Sequence, residues 1–197
     1  LSDTDTVAIT VSAANDAPVN TVPGAQTIAE DTATAIAGLS VNDVDGNLAT
    51  TQLSVTNGAL SVSLAGGATI SAGANGSSSL TLSGTQAQIN SAMATLTYQG
   101  SANFNGSDTL TVLSTDSAGV PLSDTDTVAI TVANVNDVPI ARNNGYTISE
   151  DGAQITGNVI TNNTGAGVDI DVDGNKLYVL KVNNDPNLVG VPISLAS

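Results

Sequence analysis

The chain has no cysteine, no histidine and no tryptophan, and it sets only 3 lysines and arginines against 18 aspartates and glutamates. The first two absences exclude a disulfide framework, a zinc site built on thiolate or imidazole, and any catalytic triad that turns on a histidine. The shortage of positive charge leaves a formal net charge of −15. That argues against nucleic acid or an anionic membrane surface as partner, and for cations. Aromatic residues make up 2% of the chain and hydrophobic residues 41%, so a core must be filled mainly by Val, Leu, Ile and Ala. No apolar run approaches the roughly 20 residues that a membrane-spanning helix requires, so no direct membrane insertion is expected. No enzymatic activity is expected, because the remaining carboxylates and hydroxyls are read below as ligands and turns.

What the chain does have is repetition. Leu1–Val11, Leu-Ser-Asp-Thr-Asp-Thr-Val-Ala-Ile-Thr-Val, recurs without a change at Leu122–Val132, about 120 residues later. Each copy leads into a similar junction, Asn15-Asp16-Ala17-Pro18-Val19 and Asn136-Asp137-Val138-Pro139-Ile140. A period of that size is one domain, so the chain reads as a window on a tandem array. Residues 1–16 read as the last strand and linker of one repeat, 17–136 as a complete repeat, and 137–197 as the first half of the next. Neighbouring repeats of the same chain are therefore the expected partners.

The alternation of Val7, Ile9 and Val11 with Thr6, Ala8 and Thr10 is that of a half-buried strand. Between the junctions, candidate strands fall at 21–29, 34–39, 52–56, 59–64, 79–82, 95–98, 108–114 and 125–132, broken by Gly, Asn, Asp and Ser. The period changes at Thr85–Ala94, where Ile89, Ala92 and Met93 have helical spacing and Thr85 with Gln88 forms a capping box. The fold class is thus all-β: immunoglobulin-like antiparallel sandwich repeats with one short helix in the complete repeat.

The acidic residues are not scattered. Glutamate occurs only at Glu30 and Glu150, each followed by Asp and each about 14 residues after a junction Asp. Asp43-Val44-Asp45-Gly46-Asn47 is echoed by Asp171-Val172-Asp173-Gly174-Asn175, placing two carboxylates on one side of a tight turn. Like charges held that close repel unless a cation lies between them. Oxygen donors alone, with Asn or backbone carbonyls to complete a shell of six to eight, describe Ca²⁺. An EF-hand is excluded: Asp169, Asp171, Asp173 and Gly174 fit its first half, but position twelve is Leu180 where a bidentate Glu is needed. Asp3, Asp5, Asp124 and Asp126 read as a solvated face, and Tyr98 and Phe104 as core or corner aromatics.

These motifs resemble cadherin-like repeats. Asn134-Val135-Asn136-Asp137 resembles the D-x-N-D linker, Glu30 the ligand of the first strand, Asp43 and Asp45 the D-x-D loop, and Asp116 the aspartate that ends the penultimate strand. Asn103-Phe104-Asn105-Gly106-Ser107-Asp108-Thr109-Leu110 is similar to a signature of cadherin-like repeats in giant secreted bacterial adhesins of the RTX type. Gly157-Asn158-Val159-Ile160 with the following Asp-Val-Asp-Gly is similar to the VCBS repeats. The resemblance implies a calcium-rigidified extender on the bacterial surface that supports adhesion or biofilm formation, with the ligand of its distal tip left open. Strand alternation brings Asn15, Asp16, Asp43, Asp45 and Asp116 to one pole. Glu30, Asn134, Asn136 and Asp137 fall at the other, joined by Asp171 and Asp173 of the next repeat, where Glu150 repeats the role of Glu30. The alternative reading is a glycan- or protein-binding β-sandwich of a secreted protein.

Overall fold

The computed structural model describes residues 1–147, 149–150, 152–153, 156–181 and 186–189. The chain divides into two compact units, Leu1–Asn134 and Val135–Ser197.

In the first unit, Leu1–Val11 is exposed and in no helix or sheet. Then follow β1 (Val19–Thr21), β2 (Gln26–Ala29), β3 (Thr34–Ala35), β4 (Ser40–Asn42), β5 (Leu48–Ser54), β6 (Gly58–Ser61), β7 (Thr69–Gly73), β8 (Ser79–Ser83), α1 (Gln86–Met93), β9 (Thr97–Gly100), β10 (Gly106–Asp116) and β11 (Ser123–Ala133). Six strands form a sheet in the order β2-β11-β10-β5-β8-β7, three form β3-β9-β6, and β1 pairs with β4. β11 runs antiparallel to β10 over ten residue pairs and parallel to β2 over four. The all-β expectation holds.

One core joins these layers. Leu53, Leu80, Leu82, Leu110 and Ile130 come from the large sheet, Leu60 and Tyr98 from the small one, and Ile89, Ala92 and Met93 from the inward stripe of α1. Each buried aliphatic side chain contributes about 1.5–3 kcal/mol, so the low aromatic content is no obstacle. The capping box forms as expected, with Thr85 Oγ1 accepting from Gln88 N and Gln88 Oε1 accepting from Thr85 N.

The expected strand at 21–29 is two strands. Pro23 supplies no N–H, and the break around it lets β1 pair with β4 and β2 with β11. The one expected at 34–39 shortens to β3, because Gly38 turns the chain at φ +90°. β4 and β7 are additional; β7 is exposed along most of its length and so carries no alternating apolar signal.

Two buried polar devices tie the sandwich. Ser114 Oγ donates to Asn20 Oδ1 (2.6 Å) and meets Thr51 Oγ1 at 2.9 Å, while Asn20 N donates to Asp124 Oδ2 at 2.7 Å. Asp124 therefore anchors β1 to β11 and is more than a solvated residue. Asp108, buried at the start of β10, accepts from Thr56 N, Asn57 N, Thr109 N and the Tyr98 hydroxyl. Burial first, then the hydrogen bond to Asp108 and its charge, push the Tyr98 phenol far above its ordinary value.

In the second unit, Ile140 and Ile170 form an isolated antiparallel bridge and Pro186–Leu188 a single 3₁₀ turn. Among the described residues, Lys176–Lys181 belongs to no helix or strand.

Candidate functional site

In the first unit the Asp43–Asn47 loop lies between β4 and β5 and is held from below by α1. Asn90 grips Val41 through both its N–H (2.8 Å) and its carbonyl (2.9 Å), and Gln86 Oε1 accepts from Asp43 N at 2.8 Å. Gly46 takes φ +68°, where a side chain would be strained, and closes the turn with its N–H on Asp43 O. Asp45 N donates to Asp43 Oδ1 at 3.0 Å, which holds the Asp43 carboxylate over the turn.

The chain arriving from Leu1 docks on this loop. Asp16 N donates to Asp45 Oδ2 (2.7 Å), Asn47 Nδ2 to Asn15 Oδ1 (2.8 Å), and Asn15 Nδ2 to Asp116 Oδ2 (2.7 Å) at the end of β10. The structure thus brings together Asn15, Asp16, Asp43, Asp45 and Asp116, as the topology argument expected, and adds Asn47. The Asn15 hydrogen bond, with backbone N–H groups of Leu122 and Ala118, holds the Asp116 carboxyl below its usual range against the opposing effect of burial. Asp43 and Asp116 are 4% and 2% exposed. No lysine or arginine lies in residues 1–134, since Arg142, Lys176 and Lys181 all belong to the second unit.

The two amides in this chain of contacts cannot both be satisfied. Asn47 presents its amide oxygen to the Asp43 carboxylate at 2.9 and 3.2 Å; turning the amide over cures that contact and sets its oxygen 2.8 Å from Asn15 Oδ1. Turning Asn15 as well puts its oxygen against Asp116. Two amides strung between two carboxylates need a nitrogen at each end, so wherever the orientation is changed one oxygen–oxygen contact survives. A cation at that contact removes the conflict. Neighbouring oxygens around Ca²⁺, at metal distances of about 2.3–2.6 Å, stand roughly 3 Å apart.

The second unit builds the same local device. Asp137 N donates to Asp173 Oδ2 (2.6 Å), Asp173 N to Asp171 Oδ1 (3.0 Å) and Asn175 Nδ2 to Asn136 Oδ1 (2.9 Å), with Gly174 at φ +73°. These are the contacts of Asp16, Asp45, Asp43, Asn47, Asn15 and Gly46, one for one. Asp169 Oδ1 is used differently, accepting from Arg142 N. Glu150 is exposed and outside any strand.

The remaining expected ligands of the first unit sit at its other end. Glu30 is 1% exposed, and its N–H bonds Ala133 O, which places it beside Asn134 at the exit of β11. Sequence reasoning missed Asn47 as a member of the first cluster, although it occupies the same place in both Asp-x-Asp-Gly-Asn copies. It quoted Asp108 only as part of a signature, whereas Asp108 is the acceptor that organises the 56–57 turn.

A family model described as the Protein GAMETE EXPRESSED 2 domain matches residues 36–125. No curated protein matches the chain. The similarity spans β4 to β10 with most of the core and less than half of the chain. It overturns the resemblance to cadherin-like and VCBS repeats of secreted bacterial adhesins, and with it the extender role in adhesion or biofilm formation and its keywords. The alternative of a glycan- or protein-binding module of a secreted protein falls with it. The reason is visible in the fold. The motifs that suggested an adhesin are loop and turn devices: Asp108 caps a turn, Gly46 and Gly174 close tight loops, and Asn15 bridges to a strand end. A sandwich of another family has equal use for them.

Proposed function

We propose that the chain is a non-catalytic β-sandwich module whose end takes a divalent cation, Ca²⁺ being the best fit, and that the cation locks the incoming segment Asn15–Pro18 onto its own sandwich. Asp16, Asp43, Asp45 and Asp116 would supply carboxylate oxygens, and Asn15 and Asn47 amide oxygens. The observation that carries the reading is the surviving oxygen–oxygen contact in the Asp116–Asn15–Asn47–Asp43 relay. The lack of any basic side chain in the first unit supports it. An all-oxygen donor set favours Ca²⁺ over transition metals. This rests on the residues and not on a family.

By the same reading Asn136, Asp137, Asp171, Asp173 and Asn175 would form a second, weaker lock in the second unit, where the loop contacts recur but Asn136 turns its amide nitrogen to Asp137 O. A loop site of this kind binds with Kd of about 10⁻⁴–10⁻³ M, which suits the millimolar calcium found outside cells. At 100 times Kd, one site adds roughly 2.7 kcal/mol to the folded state. The test is calorimetry of the intact chain in chelator and in millimolar CaCl₂. Binding heat with a higher melting temperature of the first unit is expected. Identical thermograms in the two buffers remove the proposal.

A further inference from the structure

We propose that Asn105 is a site of spontaneous modification, where the side-chain amide is lost to the backbone nitrogen of Gly106 and an isoaspartate linkage that loosens the start of β10 takes its place. An asparagine followed by glycine favours this ring closure, because no side chain shields the attacking nitrogen and the glycine backbone turns freely. The chain has four such pairs, beginning at Asn57, Asn75, Asn105 and Asn144. The fold treats them unequally.

Three are held away from the reaction. Asn75 is clamped at both ends of its amide, with Val62 N donating to Oδ1 and Nδ2 donating to Val62 O, each at 2.9 Å, and Gly76 N donates to Leu60 O at 2.8 Å. Asn144 Nδ2 donates to Val159 O at 2.7 Å, and Gly145 N to Thr164 Oγ1 at 2.9 Å. At Asn57 it is the main chain that is fixed: its N–H donates to Asp108 Oδ2 and its carbonyl accepts from Ser101 N, each at 2.8 Å. A carbon added to Gly58 would stand 2.5 Å from Tyr98 Cε2 and 2.6 Å from Gln99 O, so that glycine has no room to turn.

Asn105 lacks such a clamp. It is exposed in the loop between β9 and β10, and among the described residues its amide has no hydrogen-bond partner. Gly106 opens β10, and its pairing with Val132 is the end pair of the ladder with β11, where strands fray at least cost. A carbon added to Gly106 would meet the Phe104 ring at 3.6 Å, an ordinary contact, so the nitrogen is uncrowded. The steps balance with water as the sole co-reactant. Gly106 N gives its proton to solvent and attacks Asn105 Cγ; the Cγ–Nδ2 bond breaks and ammonia leaves a cyclic imide. Water then opens the ring. Opening at Cγ gives aspartate, and opening at the main-chain carbonyl gives isoaspartate, whose backbone runs through Cβ and Cγ. That longer backbone shifts Asp108, two residues on, away from the N–H groups of Thr56 and Asn57 that it holds.

The experiment is incubation of the intact chain in mildly alkaline buffer, native and in denaturant, followed by peptide mapping and by methyl transfer from S-adenosylmethionine with an isoaspartyl methyltransferase. In the native chain Asn105 should convert roughly tenfold faster than Asn57, Asn75 or Asn144, and in denaturant the four should approach one rate. The first unit of the converted chain should melt several degrees lower. Asn105→Gln should abolish the native isoaspartate signal and hold the melting temperature through the same incubation. Four equal rates in the native chain overturn the proposal, as does an Asn105 that converts only in denaturant. Full conversion with unchanged melting overturns the loosening of β10.

Discussion

The Asp-x-Asp-Gly-Asn loop occurs once in the sandwich and once in a unit whose described residues form a single bridge, and the two copies make the same contacts to their incoming segments. Asp16–Asp45 and Asp137–Asp173 differ by 0.1 Å, as do Asn47–Asn15 and Asn175–Asn136. The arrangement is therefore local: an Asx turn, a glycine at positive φ and one N–H to a carboxylate build it without help from a sheet. The difference lies at the far end of the relay. Asn15 continues to Asp116 on β10, whereas Asn136 turns its amide nitrogen to Asp137 O at 3.1 Å. Among the described residues it is the first copy that strings two amides between two carboxylates, and there the oxygen–oxygen contact is forced.

Substitutions can break or sharpen that contrast. The largest effect is expected from Asp43→Ala, which removes a carboxylate and the acceptor of Asp45 N. Calcium binding to the first unit should weaken by roughly 100-fold, while Asp171→Ala should leave the melting of the first unit unchanged; calorimetry on both variants checks this. Asp116→Asn should weaken the first site by roughly tenfold and bring the two copies closer in affinity. The same carboxylate carries a pH signature. Its folded value is lowered, so its contribution is present in full above the ordinary carboxylate range near pH 4 and is lost as pH falls below it. In wild type the acid limb of a stability curve should steepen there, and in Asp116→Asn it should flatten.

Asn47→Asp replaces the conflicted amide by a further ligand. About tenfold tighter calcium binding is expected, together with a lower melting temperature in chelator, because one more charge then lacks a counterion. The smallest effect is Gly46→Ala. No atom lies within 4 Å of the added carbon, so only the positive φ opposes it. About 1 kcal/mol of destabilisation is expected in chemical denaturation, and Gly174→Ala should cost its own unit as much.

Much of this was legible before the structure. Thr85 and Gln88 announced the helix, the alternation through Leu110, Val112, Val128 and Ile130 announced the β10–β11 ladder, and the repeated Asp pairs announced the loop that meets the junction. These are short-range signals, fixed by period or by turn chemistry. β7 was not legible because all its residues but Ile70 are exposed, which leaves no alternating apolar pattern, and β4 because three residues carry too little pattern. The Asn20–Ser114–Thr51 network was hidden because it joins residues distant in sequence by single hydrogen bonds. Family was misread for the opposite reason: Asp108, Gly106 and the Asp-Val-Asp-Gly turns are conspicuous, and they answer to backbone geometry before they answer to ancestry.

The parallel pairing of β2 with β11 has a mechanical consequence. The first long-sheet strand and the last lie side by side and point the same way, so tension applied to the two ends of the first unit pulls their hydrogen bonds lengthwise and together, in shear, instead of opening them one after another like a hairpin. Under load the Gln26–Ala29 seam acts as a latch, and its rupture, more than the melting of the core, sets the force at which the unit gives way.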